Sequence, residues 1–136
     1  MADLTLKVVT PEKEIFEGKA NQVNISTFEG ILGILPNHAP LMAKIKPGEL
    51  VIKVGGKETM MAVGDGFIQV SDNTLTVMTD LAVEASDIDE KEVEEAKKRA
   101  EKAMAEKVSD EEYAAALSIF EKSLAQLNVK RRHRAR

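Results

Sequence analysis

The sequence of 136 residues contains no cysteine and no tryptophan, and it has one tyrosine and four phenylalanines. The lack of cysteine excludes disulfides, thiol nucleophiles and thiolate metal sites. No apolar run approaches the roughly 20 residues that a membrane-spanning helix needs, and the first residues lack the basic and apolar regions of a signal peptide. We therefore expect a soluble protein on the cytoplasmic side, with a core of aliphatic residues.

Motifs for catalysis and for nucleotide or metal binding are also missing. His38 and His133 are far apart in sequence, and no HExxH, GxSxG, Walker A or GxGxxG pattern is present. Most carboxylates fall on predicted helix surfaces, where they are expected to be solvated. The segment Gly64-Asp65-Gly66 predicts a bend before a strand, at a place where a side chain would clash. We expect no enzyme activity, no catalytic residue, no metal site and no cofactor.

Residues 1–86 show the period-two alternation of short strands, as in Leu4-Thr5-Leu6-Lys7-Val8 and in Leu50-Val51-Ile52-Lys53-Val54. Gly55-Gly56 predicts a tight hairpin turn, because glycine accepts positive φ without a steric penalty. A second turn is predicted at Ser71-Asp72-Asn73. Turn signals recur at short intervals with no helical pattern between them. This half of the chain is therefore predicted to be an antiparallel β sandwich or flattened barrel.

Residues 87–136 change to a helical pattern, with no glycine or proline after Glu90. Two helix starts are predicted, where Asp89 precedes Glu92 and where Ser109 precedes Glu112. The apolar face predicted for the first helix consists of Val93, Ala96, Ala100 and Ala103 or Met104. The stripe predicted for the second helix consists of Tyr113, Leu117, Phe120, Leu124 and Leu127. With a turn near Val108-Ser109 this gives an antiparallel α-helical hairpin, and the whole fold is predicted to be α+β in two parts.

The hairpin alone buries little surface, so we expect it to dock on the β domain or on a partner. An element held by a modest interface can also leave it. The chain has a net charge of −4 but ends in Lys-Arg-Arg-His-Arg-Ala-Arg at 130–136. This basic segment is either a contact for an acidic partner surface or a solvated, frayed terminus. A nucleic-acid arm is a weaker interpretation, because no aromatic residues interleave with the bases.

The most distinctive stretch is 29–41, Glu-Gly-Ile-Leu-Gly-Ile-Leu-Pro-Asn-His-Ala-Pro-Leu. Pro36 and Pro40 fix φ and remove donors on either side of Asn37-His38. We expect a rigid projecting loop, which is suited to docking because little entropy is lost on binding. The alternative is a tight corner of the barrel in which His38 bonds its own backbone.

That stretch resembles the Gly-x-Leu-Gly-Ile-x-Pro-Gly-His-Ala-Pro-Leu segment of the epsilon subunit of F-type ATP synthases. Leu-Lys-Val-Val-Thr-Pro at 6–11, Gly64-Asp65-Gly66-Phe67 where the family commonly has Gly-Gly-Phe, and Ser86-Asp87-Ile88-Asp89 agree in order and spacing. The resemblance covers the chain up to Val129. Competing interpretations are an interaction module of another complex, in which the hairpin is a coiled-coil handle, and an undescribed hydrolase.

The resemblance implies a non-catalytic subunit of the central stalk. Its ten-stranded β sandwich would bind the gamma subunit and the ring of c subunits, with Glu29, Ile31 and His38 near the polar loops of the ring. Its movable hairpin would rise into the catalytic sector of alpha and beta subunits and inhibit ATP hydrolysis. The inhibitory bases would be Lys122, Lys130, Arg131, Arg132 and Arg134. The expected place is the cytoplasmic face of a bacterial cell membrane rather than a plastid thylakoid, with membrane contact only through the complex and no nucleic acid bound.

Some family members bind ATP on the hairpin through Ile/Leu-Asp-x-x-Arg-Ala and bases on the second helix. Here Ile88 and Asp89 match that motif, but Glu92 replaces its arginine and Val93 its alanine. Gln126 replaces one of the bases. A carboxylate in place of a guanidinium is unfavourable beside phosphates, so we expect little or no ATP binding and interpret Asp89 and Glu92 as a helix cap.

Overall fold

The computed structural model describes residues 2–106 and 109–135. All the strands within these ranges precede the two helices, which confirms the predicted α+β class. The strands are β1 (Leu4–Val9), β2 (Glu14–Ala20), β3 (Gln22–Thr27), β4 (Gly30–Ile34), β5 (Leu41–Val54), β6 (Lys57–Val63), β7 (Gly66–Ser71), β8 (Thr74–Thr79) and β9 (Ala82–Glu84). A 3-10 turn (Ala85–Asp87) leads to α1 (Glu90–Glu106) and α2 (Asp110–Arg134). Neither helix is long and apolar enough to cross a membrane in its described residues.

The strands form a single sheet in the order β2-β1-β8-β7-β5-β3-β4, with β6 paired to β5 and β9 paired to β6. Neighbouring strands are antiparallel, as predicted, except for the parallel pair of β1 and β8. This exception pairs strands that are distant in sequence, since Thr5 of β1 lies beside Thr74 of β8. The sheet curls so that the two strands become neighbours. No local pattern in either strand could indicate this contact.

Strand β5 carries the chain from one side of the curled sheet to the other. Leu41–Ile45 pairs with β7, whereas Gly48–Val54 pairs with β6. Pro47 lies between the two paired stretches, where its missing N–H costs no ladder hydrogen bond. The resemblance implies ten strands, whereas the described residues form nine, with β5 continuous from Leu41 to Val54. The inward side chains of β1–β8 enclose the interior core.

Both predicted hairpin turns are confirmed. Gly55 and Gly56 connect β5 to β6 with φ of 55° and 83°. Asp72 and Asn73 connect β7 to β8 with φ of 50° and 57°, a conformation that aspartate and asparagine tolerate better than most residues. Gly66 also occupies the site of close approach that the sequence predicts, since a Cβ there would collide with the backbone carbonyl of Met78.

Both predicted helix starts are confirmed as well. The backbone N–H of Glu92 donates to Asp89 Oδ1 (3.2 Å), and that of Glu112 donates to Ser109 Oγ (3.1 Å). These bonds satisfy N–H groups that have no partner within the helix. Val108, which the sequence places in the turn, lies outside the described residues. Helix α2 continues to Arg134, so most of the basic segment is helical.

The buried faces of the helices differ in part from the predicted ones. On α1, Val93 and Ala100 are buried, Ala96 and Met104 are half-buried, and Ala103 is exposed. In the predicted stripe of α2, Leu127 is buried, Leu117, Phe120 and Leu124 are half-buried, and Tyr113 is exposed. The buried positions of α2 are Ala116, Ser123, Ala125, Leu127 and Val129. The single-stripe prediction is wrong because α2 packs against α1 on one side and against β5 and β6 on the other.

A second apolar cluster, separate from the interior core, joins the helices to the sheet. We call it the docking cluster. It consists of Val51, Met60, Ala62, Ala85, Ile88, Val93, Leu127 and Val129. Successive residues of a strand point to opposite faces, so β5 and β6 supply side chains to both clusters. The β domain therefore has a core of its own beneath the face on which the hairpin docks.

Candidate functional site

The loop after β4 is anchored at several points. The backbone N–H of Asn37 donates to Asn73 Oδ1 (2.8 Å), and the N–H of His38 donates to the Leu35 carbonyl (3.2 Å). The ring nitrogen Nδ1 of His38 lies 2.7 Å from the Ala39 carbonyl, so His38 bonds its local backbone. Asn37 has a φ of 63°, which explains how asparagine can replace the glycine of the family motif.

The candidate ring contacts Glu29, Ile31 and His38 are all exposed. Glu29 lies in the β3–β4 turn, whose shape is fixed by the hydroxyl of Thr27: it donates to the Gly30 carbonyl (2.6 Å) and accepts from the Glu29 N–H (3.2 Å). Ile31 follows at the start of β4 and is 65% exposed. The structure brings Glu29 and Ile31 together and places His38 beyond the opposite end of β4.

A surface that sequence reasoning missed lies on the outer face of the sheet. We call it the outer apolar patch, and it consists of Phe28, Met42, Phe67 and Met78. Phe67 pairs with Met78 on β8 and with Lys44 on β5, and Met42 is two residues from Lys44 on the same face. Lys44 Nζ lies 5.2 Å from the centroid of the Phe28 ring. The alternation of β7, where Phe67 precedes buried Ile68, is the sequence signal that could have revealed this patch.

Large apolar side chains rarely form an exposed cluster on the surface of a monomeric protein. Phe28, Met42 and Phe67 are 59%, 67% and 51% exposed, respectively. The patch therefore has the character of a docking surface for another protein. It lies on the turn after β3 and on β5, β7 and β8, and none of its four residues belongs to the docking cluster.

Four of the five candidate inhibitory bases contact other parts of the chain. Lys122 Nζ lies 2.5 Å from Asp80 and 4.0 Å from Asp65. Lys130 Nζ donates to the Ala85 carbonyl (3.1 Å). These two lysines tie α2 to the β domain and to the segment that leads into α1.

The arginines at the end of α2 form two different ion pairs. Arg132 Nη1 donates to Glu49 Oε2 on β5 (2.8 Å), and Arg134 Nη1 lies 2.7 Å from Glu90 Oε1 on α1. Arg131 is exposed. The first pair joins the hairpin to the β domain, whereas the second joins the two helices to each other.

The residues of the nucleotide motif line a cleft of about 310 Å³ between α1, α2 and the segment before α1. Ile88 is buried in the docking cluster and Asp89 caps α1. Asp87, Asp89 and Glu92 give the cleft three carboxylates, while Ser123 and Gln126 are the residues that α2 contributes. Among the described residues, no base lines this cleft, so its charge opposes a polyphosphate rather than attracting one.

Comparison with known proteins matches both halves of the chain to one family. Residues 3–85 match the ATP synthase delta/epsilon chain beta-sandwich domain, and residues 86–131 match its long alpha-helix domain. The ATP synthase epsilon chain of Chromohalobacter salexigens is 40% identical over 130 residues, which cover 95% of this chain and 92% of the relative.

Two solved structures share the fold at low sequence identity. A chain of the Euglena gracilis mitochondrial ATP synthase has a TM-score of 0.79 and 22% identity, over 94% of this chain and 81% of that one. A chain of the Tetrahymena thermophila mitochondrial ATP synthase has a TM-score of 0.55 and 20% identity, over 95% and 94%. With the two family domains in sequence and a 40% identical relative of nearly the same length, the chain belongs to the ATP synthase delta/epsilon family, as an epsilon chain.

Proposed function

We propose that this non-catalytic chain couples the catalytic sector of a rotary ATP synthase to the membrane ring of c subunits, and that its hairpin restrains ATP hydrolysis. The observation that carries the proposal is the division of the apolar residues into two clusters. The interior core lets the β domain stay folded and bound to the rotor when the hairpin leaves. The docking cluster holds the hairpin by an interface small enough to open. We place the division of labour at the boundary between residues 86 and 87.

The rotor contacts follow from the exposed surfaces of the β domain. The outer apolar patch is the docking surface for the gamma subunit. Binding there would remove Phe67 and its neighbours from water, and this burial would stabilise the complex. Glu29 and Ile31 in the β3–β4 turn are the candidate contacts to the polar loops of the c ring. A ring loop bound there would reach His38 only along the length of β4. The chains of similar fold from Euglena gracilis and Tetrahymena thermophila belong to ATP synthase structures that include a c ring.

The inhibitory contacts follow from the bases of α2. When the hairpin leaves the β domain, Lys122, Lys130, Arg132 and the exposed Arg131 become free to bind acidic segments of the alpha and beta subunits. Arg134 joins them when its pair with Glu90 opens. Bases bound to carboxylates at close range form strong, charge-assisted hydrogen bonds. Several such contacts together can hold the hairpin in a raised position.

ATP is not a ligand of the hairpin in this proposal, because the cleft beside Ile88 and Asp89 has three carboxylates and, within the part of the chain that the structure describes, no base. The chain acts at the cytoplasmic face of a bacterial cell membrane, which it reaches only through the complex.

Truncation separates the two roles. A chain that ends after Asp89 should keep its affinity for gamma and support ATP synthesis, while the ATPase rate of the complex rises. Changing the four bases at 130, 131, 132 and 134 to glutamine in the full-length chain should relieve the inhibition in part. Loss of gamma binding in a truncated chain with a native β-sheet circular dichroism spectrum would contradict the proposed division.

The gamma contact is tested on the outer apolar patch. Phe67→Ser should weaken gamma binding about thirtyfold, since burying a large side chain contributes about 2 kcal/mol. Val54→Ser is the matched control, because Val54 is 45% exposed beside the β5–β6 turn and outside the patch. Equal affinities of the two variants for gamma, measured by isothermal titration, would refute the assignment of the patch.

A further inference from the structure

The bases assigned to inhibition occupy ion pairs within this chain when the hairpin is docked. We propose that Lys122 and Arg132 form an electrostatic latch with acids of the β domain, so that the same charges either hold the hairpin down or bind acidic catalytic subunits. This latch rests on the proposed function and adds what controls the release of the hairpin. Release of the hairpin becomes a competition between two sets of carboxylates, and it responds to ionic strength rather than to nucleotide.

The first anchor of the latch is built around Gly64. Lys122 Nζ reaches Asp80 at 2.5 Å and Asp65 at 4.0 Å, and the hydroxyl of Ser118 donates to Asp65 Oδ2 (3.4 Å). A Cβ on Gly64 would collide with the Asp80 carboxylate and press on the Lys122 side chain. The glycine therefore makes room for the ion pair.

The β domain holds the acceptor in place before the hairpin arrives. The backbone N–H of Asp65 donates to Asp80 Oδ1 (2.9 Å), so the carboxylate loses little freedom when Lys122 binds it. The side chains of Lys122 and Asp80 are 24% and 41% exposed, so the pair is only partly shielded from solvent and stays open to screening by salt. This preorganisation makes Asp80 the strongest single contact of the anchor.

The second anchor is the pair of Arg132 with Glu49, whose side chain is 19% exposed. Lys122 and Arg132 are ten residues apart on α2, so the two anchors lie about 15 Å apart along the helix. Buried Ala125 and Val129 lie on the stretch of helix between them. The latch thus fastens both ends of the segment of α2 that packs on the sheet.

The pair of Arg134 with Glu90 provides an internal control. It is as short as the Arg132 pair, at 2.7 Å, but it joins α2 to α1 and not to the β domain. Breaking it should leave the docking equilibrium of the hairpin unchanged. Breaking the Asp80 pair should shift that equilibrium toward release.

The docking equilibrium can be measured with one thiol, because the chain has no cysteine. Val51→Cys places a thiol of similar size in the docking cluster, where Val51 is 4% exposed. Its alkylation rate in the isolated full-length chain reports the fraction of time that the hairpin is undocked. In this background Asp80→Asn should raise the rate about two- to fivefold, as expected for one ion pair. Glu90→Gln should change it less than twofold.

Asparagine at position 80 keeps an oxygen that can accept from the Asp65 N–H. This variant therefore removes the negative charge of residue 80 and keeps its hydrogen bond to the backbone. Raising the salt from about 50 to about 500 mM should increase the alkylation rate of the parent more than that of the Asp80→Asn variant. A change of less than twofold with Asp80→Asn, or an equal change with Glu90→Gln, overturns the latch.

The reconstituted complex gives a second readout. Asp80→Asn should deepen the inhibition of ATP hydrolysis, since more of the inhibitory bases are free. Failure of the proposed function would show differently: removing the hairpin would leave the ATPase rate of the complex unchanged, while the alkylation rates of the isolated chain could still follow the latch. A complex in which hairpin removal raises the ATPase rate but Asp80→Asn does not deepen inhibition overturns the latch alone.

Discussion

Truncation of Leu127 tests whether the hairpin is held by a cluster of its own. Leu127 is 2% exposed and lies in the docking cluster with Val51, Ile88 and Val93. Replacing a buried leucine by alanine costs about 3 kcal/mol, from lost transfer free energy and from the cavity that remains. Because 1.4 kcal/mol is a factor of ten, Leu127→Ala should raise the undocked fraction of the hairpin about a hundredfold. The interior core keeps all its side chains, so the β domain should keep its stability.

Native-state hydrogen exchange measures both halves in one experiment. Amides of α2 should exchange about a hundredfold faster in the variant, since 3 kcal/mol separates it from the parent. Amides of β1 and β8, which flank the interior core, should exchange at the parental rate. Ile119→Ala removes the same number of carbons from a side chain that is 50% exposed, and it should change α2 exchange by less than about fivefold. Equal acceleration in β1 and α2 would refute the reasoning, because it would mean that both halves share one cooperative core.

Three further predictions concern the cleft, a glycine and a carboxylate pair. Millimolar ATP should leave the melting temperature of the parent chain unchanged. In the double variant Glu92→Arg with Gln126→Arg, ATP should raise the melting temperature, because guanidinium groups supply hydrogen-bond donors for phosphate. A rise of the melting temperature in the parent chain would contradict the charge argument. Gly66→Ala should lower the melting temperature of the β domain by more than about 10 °C through collision with the backbone of β8, and a drop of a degree or two would show that the strands can part there. The pKa of Glu14 is raised because it shares a hydrogen bond with Glu17 and is repelled by it. A raised pKa in the folded state favours folding only at low pH, and this contribution is lost as the pH rises through the pKa. Glu17→Gln should therefore raise the melting temperature at pH 7 and not at a pH well below 4.5, the usual pKa of glutamate; equal shifts at both pH values would exclude this origin.

Local features were predictable because short-range physics decides them. The Gly55-Gly56 turn requires positive φ, which few residues other than glycine adopt easily. The caps at Asp89 and Ser109 depend on a side chain and a backbone N–H three residues later. Such contacts depend on only a few neighbouring residues, so the sequence could indicate where they form.

The buried face of α2 was not predictable in the same way. A stripe at helical spacing shows which side of a helix is apolar, but it does not show how many elements pack around the helix. Tyr113 belongs to the stripe yet is exposed, and Ser123 is polar yet buried with its hydroxyl donating to the Ile119 carbonyl (2.8 Å). Both outcomes depend on where α1 and the sheet meet the helix.

For the candidate site, the sequence indicated the basic residues but not their partners. Arg132 and Glu49 are 83 positions apart, and nothing in either segment selects the other. The outer apolar patch likewise forms only when β5, β7 and β8 come into register. Pairing of distant residues carries no local signal, because it depends on chain topology.

By itself, the sequence determined the order of strands and helices, the turns and caps, the degraded nucleotide motif and the family resemblance. Each of these depends on residue type and spacing over a few positions. Only the tertiary structure decided that β1 pairs in parallel with β8, that two separate clusters divide the apolar residues, and that Lys122 lies between Asp65 and Asp80. The reason is physical: burial and ion pairing depend on distances in space, and those distances are fixed when the whole chain has closed its sheet and docked its helices.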